Sequence, residues 1–362
     1  MSDLVHIGIL GGGGILGAHA PALAKMADRC RVVAVAEPDP SRADRIRQLL
    51  GPDVAILPHF DDVVCRDDVE AVDVLLPHDL HLPATQAAAR AGKHVLVEKV
   101  MARNVYECDR MIEACEAAGV TLTVCHDRRY HGEWQALKQI IDAGMLGETY
   151  FWRLEHTQNV APGLAHWIAS RDRLGGGAVM SCLTHQIDAL RWYGGEVTEV
   201  TAMTRVVPER MEGESIGVVL ARLASGALAQ LTINWMTRAN TAPNGLWYEL
   251  NHVTGSRGEA YYQAGRGTFV LQYGEPAVAP AVGFEAGSEA GNAFRKVVCA
   301  PHTGHDGCIR EWVRLLCGEP AAIVTSGRQV RGTVEVAEAA YLSEATGRTV
   351  LLPITPRPWS PS

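Results

Sequence analysis

The run Gly11-Gly12-Gly13-Gly14-Ile15-Leu16-Gly17 follows directly on the apolar stretch "LVHIGIL" and opens a segment of helical composition. Glycine inside an element loses roughly 0.5–1 kcal/mol relative to alanine, so four in succession fit a place where side chains are excluded and something approaches the backbone. Between a strand and a helix, glycines spaced G-x-G-x-x-G offer backbone N–H groups and a helix N-terminus to a pyrophosphate. Two registers satisfy the pattern. Gly12, Gly14 and Gly17 match it literally, whereas Gly11 and Gly13 with Leu16 in third place set the tight turn one residue earlier. In either register Gly11, Gly13, Gly14, Ile15 and Leu16 are the expected dinucleotide contacts. Glu37 closes the next apolar run, "VAVAEPDP", twenty residues beyond Gly17, near the spacing at which a carboxylate takes the adenosine ribose hydroxyls. That carboxylate repels a 2′-phosphate, and Pro38 stands where an NADP enzyme would carry a cation. The expected cofactor is therefore NAD.

The elements that hold these residues are legible as an alternation. "LVHIGIL", "RVVAVA", "AVDVLL", "HVLVE" and "TLTVC" are short apolar, β-branched runs separated by stretches rich in Ala, Arg and Glu. Continuous apolar runs of that length suit parallel strands buried on both faces. Helix signals fall in the gaps: Pro83 suits a first turn, and Asn104 with Glu107 resembles a capping box before a helix that stops at Gly119. After a helical stretch at about Trp134 to Ala143 the texture changes. "ETYFWRLEHT", "EVTAMTRVV", "SIGVVLARLA", "ALAQLTINWMT", "YELNHVTG" and "GEAYYQAG" are strand-like, interrupted by one obvious helix from about Ala178 to Trp192. Pro276 to about Pro301 reads as loop, and the chain then returns to helix. The fold expected is α/β plus α+β: an N-terminal doubly wound parallel Rossmann sheet over residues 1–126, then a substrate-binding and oligomerisation domain over 127–362 built on a large, mostly antiparallel open-faced sheet.

Bulk properties narrow the function. A chain of 362 residues is long enough for about two cores, and 47% hydrophobic with 20% charged residues is ordinary globular composition. A net charge of −8 without any Lys/Arg run speaks against a nucleic-acid partner. The first twenty residues lack the charged and apolar regions of a secretory signal, and no apolar stretch approaches a membrane span, so a cytoplasmic protein with no membrane partner is expected. Nine cysteines form no C-x-x-C pair, which predicts reduced thiols and no metal site.

From Leu75 to Val100 the sequence reads "LLPHDLHLPATQAAARAGKHVLVEKV". This resembles the glucose-fructose oxidoreductase / inositol dehydrogenase (Gfo/Idh/MocA) family, whose members carry T-P-N-x-x-H followed by A-G-K-H-V-x-x-E-K-P. The likeness continues through "HDRRYH", "DAGMLGE", "LGGGAVMSCLTHQIDALRW" and a closing "GHDGCIREWVRLLCGEP…AAYLSEATGRTVLLP". It implies a nicotinamide-dependent oxidoreductase of sugars, cyclitols or their derivatives. It places Leu76, Pro77, His78, His81, Glu98, Lys99 and Arg128 at the cofactor, and Lys99 at the substrate hydroxyl. Removing hydride from a secondary alcohol requires a base for its proton, and a lysine desolvated beside a positively charged nicotinamide suits that task. The resemblance also makes His185 catalytic, with Asp188 three residues on along the same helical face. Lys99, Arg128, Tyr130, His156, Trp167, Ser181, His185 and Asp188 are the expected substrate contacts, and Arg171 and His305 are further polyol candidates.

The departures cluster at the reacting end. Ser181 stands where the family carries an aspartate four residues before the histidine, Val100 replaces the proline after the lysine, and Leu76 and His78 stand where Thr and Asn are common. Without that aspartate, Lys99 and His185 carry proton movement, with Glu155, His156 or His78 as possible compensation. In relatives the Lys-Pro bond is commonly cis; valine raises the cost to about 2.5–4 kcal/mol, so a trans Lys99–Val100 bond with Val100 to Asn104 rearranged is expected. The leading function is reversible NAD-dependent oxidation of a ring hydroxyl. Two others compete: transient oxidation by tightly bound NAD (epimerisation, elimination or glycoside cleavage), and a non-catalytic NAD-binding sensor, against which Lys99 and His185 speak. The resemblance implies a homodimer or homotetramer through the C-terminal sheet.

Overall fold

The computed structural model describes residues 4–237, 247–274, 279–286 and 294–360. Parts of the expected loop between Pro276 and Pro301 lie outside these residues. The chain forms two compact units. One runs to Tyr130 and takes in Thr303–Arg331 and Arg357–Ser360; the other comprises His131–His302 and Gly332–Pro356. The second unit is therefore not the continuous stretch from 127 onward: the helix Gly304–Leu316 packs in the first.

In the first unit β1 (Val5–Leu10), β2 (Cys30–Ala36), β3 (Ala55–Leu57), β4 (Ala71–Val74), β5 (His94–Glu98) and β6 (Leu122–Cys125) form a parallel sheet in the order β3-β2-β1-β4-β5-β6. Ile7, Ile9, Val72, Val95 and Leu96 have no exposed surface, as strands covered on both faces require. The three residues of β3 carry too little pattern to be read from sequence. Helix Val105–Ala118 starts as expected, with Asn104 accepting the Glu107 N–H at 2.9 Å, although Glu107 reaches back to the N–H of Arg103, one residue before the cap; Gly119 ends it in the left-handed region. Cys308, Ile309, Trp312 and Val313, from the C-terminal part of the sequence, join the core with Leu16, Ala20, Leu23 and Tyr130.

The second unit is a mixed sheet of nine described strands. Its members are β7 (Thr149–Gln158), β8 (Val197–Val206), β9 (Glu214–Leu223), β10 (Leu228–Asn234), β11 (Trp247–Gly255), β12 (Gly258–Gln263), β13 (Gly267–Gln272), β14 (Arg295–Lys296) and β15 (Val350–Leu351), in the order β14-β13-β12-β11-β7-β10-β9-β8-β15. Every pairing is antiparallel except β7 with β10. The strict alternation along β9 (Gly217, Val219, Ala221 and Leu223 buried; Val218, Leu220 and Arg222 exposed) shows one covered and one open face. On the covered face Trp152 stacks on Tyr193 of helix Thr184–Gly194 at 6.1 Å and 9°, and the Tyr193 hydroxyl donates to the Trp134 carbonyl. Sequence missed β13, β14 and β15; the last two are two-residue edge strands with no period to detect.

Because Trp312 is fully buried in the first unit's core, Trp312→Ala should cost about 3–5 kcal/mol in chemical denaturation. A loss below about 1 kcal/mol would show that helix Gly304–Leu316 does not build that core.

Candidate active site

All five segments expected at the cofactor leave the same edge of the first unit, because parallel strands end together, and the order reverses between β1 and β4, where open α/β sheets bind ligands. Gly11 has φ +110°, and a Cβ there would lie 2.5 Å from the Leu75 carbonyl oxygen, so the tight turn is at Gly11 and the second register holds. At Gly12 a Cβ would meet Ile46 at 2.6 Å and Glu37 Oε2 at 2.9 Å, whereas nothing lies within 4 Å of one at Gly14. Helix Leu16–Ala24 follows with no acidic residue in its first turn. The N–H groups of Gly13, Gly14 and Ile15 have no partner among the described residues. Unpaired donors at a helix N-terminus fit a pyrophosphate.

Glu37 is buried at the end of β2. Its Oε2 accepts from the Gly12 N–H at 3.0 Å and from Arg42 at 3.1 Å, and its Oε1 accepts from the Asp39 N–H at 2.9 Å, leaving Oε1 with spare acceptor capacity. Arg45 donates to the Gly13 carbonyl at 3.0 Å. Sequence reading missed both arginines; Arg42 ends the 3-10 turn Pro40–Arg42 and Arg45 lies on the helix Ala43–Leu50 that follows, and no local pattern reveals their packing against the loop.

At the end of β5, Glu98 Oε2 accepts the Lys99 N–H at 3.0 Å and Oε1 meets His19 Nε2 at 2.9 Å, while His19 Nδ1 meets Asp73 Oδ2 at 2.7 Å. Burial opposes charge on His19, but Asp73 and Glu98 overcome it and raise its pKa to about 10. Burial likewise opposes ionisation of Glu98, yet its histidine partners hold the carboxyl far below the usual carboxylate range. His305, a polyol candidate from sequence, lies 3.5 Å from Glu98 and 3.9 Å from Asp127. Donor atoms of His19, Glu98, Cys125 and His305 lie within 4.8 Å of one another, a group that could hold a metal ion. The 2.7 and 2.9 Å contacts already place a proton on each His19 nitrogen. His81 is buried with Nε2 on the Leu76 carbonyl at 2.8 Å and Nδ1 on the Val100 carbonyl at 2.9 Å. Burial lowers its pKa, opposed by its carbonyl partners and by Glu98.

The Lys99–Val100 bond is cis, so the expectation of trans is wrong. Val100, Met101 and Ala102 have no exposed surface, and tertiary contacts rather than local preference fix this segment. His78 is buried beside His81 at 5.5 Å between ring centroids, and Arg128 pairs with Asp127 at 3.3 Å. Tyr130 is placed otherwise than expected of a polyol contact: its ring is buried in the first unit's core, where burial raises its pKa.

In the second unit, Gly175 to Gly177 lead into a π-helical turn, Val179–Leu183, and then helix Thr184–Gly194. Such turns recur at functional sites. Ser181, His185 and Asp188 are all buried on this stretch. Glu214 Oε1 accepts from the Val179 N–H at 2.8 Å and from the Tyr341 hydroxyl at 2.9 Å, and that hydroxyl accepts from the N–H groups of Gly177 and Met180. Gly177 has no room for a side chain, since a Cβ would lie 2.3 Å from the Glu214 carbonyl oxygen. Asp188 Oδ1 accepts from Thr333 at 3.0 Å. His156 is buried on β7 with Nδ1 at 3.3 Å from Glu249, whereas Glu155, one residue earlier, points to the opposite face beside Arg153 and cannot share a pocket with it. Trp167 is partly buried in a short 3-10 turn, and Arg171 donates its N–H to Glu212.

Residues 5–126 match the model of an oxidoreductase family with an NAD-binding Rossmann fold, and residues 134–261 match the GFO/IDH/MocA C-terminal domain. The chain belongs to the Gfo/Idh/MocA family. It is 33% identical over 172 residues to a 1,5-anhydro-D-fructose reductase of Ensifer adhaerens (47% of this chain, 52% of that protein). It is 30% identical over 230 residues to a myo-inositol 2-dehydrogenase of Thermotoga maritima (62% and 66%). The chain thus aligns with about half to two thirds of these relatives' lengths. Among solved structures, the WlbA dehydrogenase of Bordetella pertussis in complex with NADH and UDP-GlcNAcA has a TM-score of 0.83 at 23% identity, covering 98% of this chain and 100% of that one. Levoglucosan dehydrogenase in complex with NADH and levoglucosan has 0.83 at 19%, covering 97% and 100%. At these identities the likeness is one of fold. The family binds NAD, and the Gly11 turn, the open N–H groups and Glu37 fit that cofactor.

Two expectations follow from the geometry. Glu37→Ala should weaken NAD binding by about 10- to 100-fold, as loss of charge-assisted hydrogen bonds does, and narrow the preference over NADP; calorimetry showing equal affinities in the wild type would refute the assignment. Burial raises the Glu214 pKa from 4.5 to about 7. The folded state then holds a proton that the unfolded state releases, so this contribution is complete below about pH 4.5 and is lost as pH rises through 7. Glu214→Gln, titrated by thermal melts between those pH values, should lose that slope and gain on the wild type as pH rises; parallel curves would contradict it.

Proposed function

We propose that this protein is an NAD-dependent dehydrogenase of a ring hydroxyl in a sugar, cyclitol or glycoside, working reversibly in the cytoplasm. The observation that carries the reading is Lys99, at the end of β5 on the cofactor edge of an NAD-binding sheet, with its backbone held by the buried Glu98. Relatives named for anhydrofructose, myo-inositol and levoglucosan support a polyhydroxylated ring as substrate.

Bound NAD supplies the hydride acceptor. Lys99 takes the hydroxyl proton at its Nζ, and in the reverse direction its ammonium polarises the ketone and returns the proton. His185 is the second proton-handling group. Ser181 brings a neutral hydroxyl where a carboxylate is common, so the substrate ring meets one fewer charge. Asp188, tied to Thr333, orients the helix that carries His185.

The open face of the second sheet supports a homo-oligomer. Phe151, Met203, Val218, Leu220 and Leu228 are exposed there, and Leu228 sits opposite Phe151 while Val218 sits opposite Met203, a contiguous apolar surface that a second copy would cover. Nine free cysteines are consistent with a reducing compartment, and among the described residues no helix is long and apolar enough to cross a membrane.

A polyol and glycoside panel including myo-inositol and levoglucosan, followed by NADH formation, tests the activity. With the substrate found, Lys99→Ala should lose about 10²–10⁴-fold in kcat while NADH affinity persists. Near-normal turnover of that variant would exclude the role of Lys99.

A further inference from the structure

Lys99 is the first residue past both of its sheet ladders. β5 pairs with β4 as far as Val97 opposite Val74, and with β6 as far as Glu98 opposite Cys125. Beyond that point strand pairing no longer fixes the main chain, yet a lysine on a four-carbon stem is only as well placed as the backbone it starts from. A misplacement of about 1 Å can cost on the order of 10²-fold in rate.

Two buried imidazoles take over where the sheet stops. On the N-terminal side, Asp73 on β4 anchors His19 at 2.7 Å, His19 holds Glu98 Oε1 at 2.9 Å, and Glu98 Oε2 accepts the Lys99 N–H at 3.0 Å. On the C-terminal side, His81 Nδ1 meets the carbonyls of Val100 at 2.9 Å and Met101 at 3.2 Å, while Nε2 meets the Leu76 carbonyl at 2.8 Å. His19 and His81 have no exposed surface. One ring ties the start of the Lys99 segment to the helix behind the glycine turn; the other is packed between the end of that segment and the loop after β4, and its N–H is held by the carbonyls on either side. We propose that His81, and His19 acting through Glu98, are positioning residues that brace the main chain of Lys99 from both sides and so set where its amine points. Its catalytic importance rests on the reading of Lys99 as the proton carrier; the brace itself does not.

The test is competitive acetylation of the NADH-saturated protein with trace acetic anhydride, reading Lys99 against Lys93 and Lys138 by mass spectrometry across pH. In His81→Leu and in Glu98→Gln, Lys99 should be acetylated roughly two- to tenfold faster than in the wild type, with its pH profile displaced, as expected for loss of one ordinary hydrogen bond, while Lys93 and Lys138 stay unchanged. His81→Gln, which keeps a side-chain N–H donor, should return Lys99 toward wild-type behaviour. Circular dichroism and NADH titration establish that each variant is folded and loaded; if His81→Leu is not, Glu98→Gln carries the test. Wild-type labelling of Lys99 in a folded His81→Leu or Glu98→Gln overturns the brace, as does equal acceleration at all three lysines. Turnover of Lys99→Ala bears on the proposed function alone, so the two ideas fail separately.

Discussion

A buried carboxylate must find charge or donors, and Glu98 is where the first unit meets that demand. Removing an ionised carboxyl from water costs several kcal/mol after relaxation, and the cost is offset only with good geometry and satisfied lone pairs. Glu98 obtains both from His19, whose other nitrogen is claimed by Asp73, and from the N–H of Lys99. Three elements are thereby fixed relative to one another: the helix behind the glycine turn, β4 and the exit of β5. The glycine turn depends on similarly close packing, since Gly11 lies against the Leu75 carbonyl just past the end of β4. The glycine loop and the lysine are thus both set by packing against β4 and its exit.

The second unit solves a parallel problem with different chemistry. Its buried carboxyl, Glu214, rises to a pKa of about 7 through burial, which its hydrogen bonds and the Arg171 charge only partly oppose. Its partners are a backbone N–H and a tyrosine hydroxyl, and the same hydroxyl receives two further N–H groups from the turn ahead of Ser181. Gly176 and Gly177 are required because this junction leaves no space for Cβ atoms. The stretch that presents Ser181 and His185 is consequently tied to β9 and to the helix Gly327–Thr346 at its very first residues.

Where the chain departs from its family, packing rather than sequence preference sets the outcome. Val100 replaces a proline, yet the peptide before it is cis, inside a segment with no exposed surface whose carbonyls meet His81. Ser181 replaces a carboxylate, and Asp188, further along the same stretch, accepts from Thr333 at its Oδ1. Glu155 is removed from consideration by the pleat of β7, which sends it to the face opposite His156.

What the sequence determined by itself was whatever depends on local period and spacing. The buried runs of β1, β2, β4, β5 and β6, the alternation of the second sheet, the cap at Asn104 and the glycine loop are each written within a few residues, and Glu37 follows the loop at a fixed spacing of some twenty, because strand burial, helix capping and the span of one βαβ unit act at those ranges. The family motifs added Lys99 and His185. Tertiary structure alone decided the rest: that Gly11 and not Gly12 makes the turn, that Gly304–Leu316 belongs to the first core, that Arg42 reaches Glu37, that Tyr130 packs inward, and that His305 joins His19 at Glu98. These depend on contacts between residues as far as 286 positions apart, between His19 and His305, and no periodicity carries that information; it exists only once burial has forced each charged or polar group to find a partner in space.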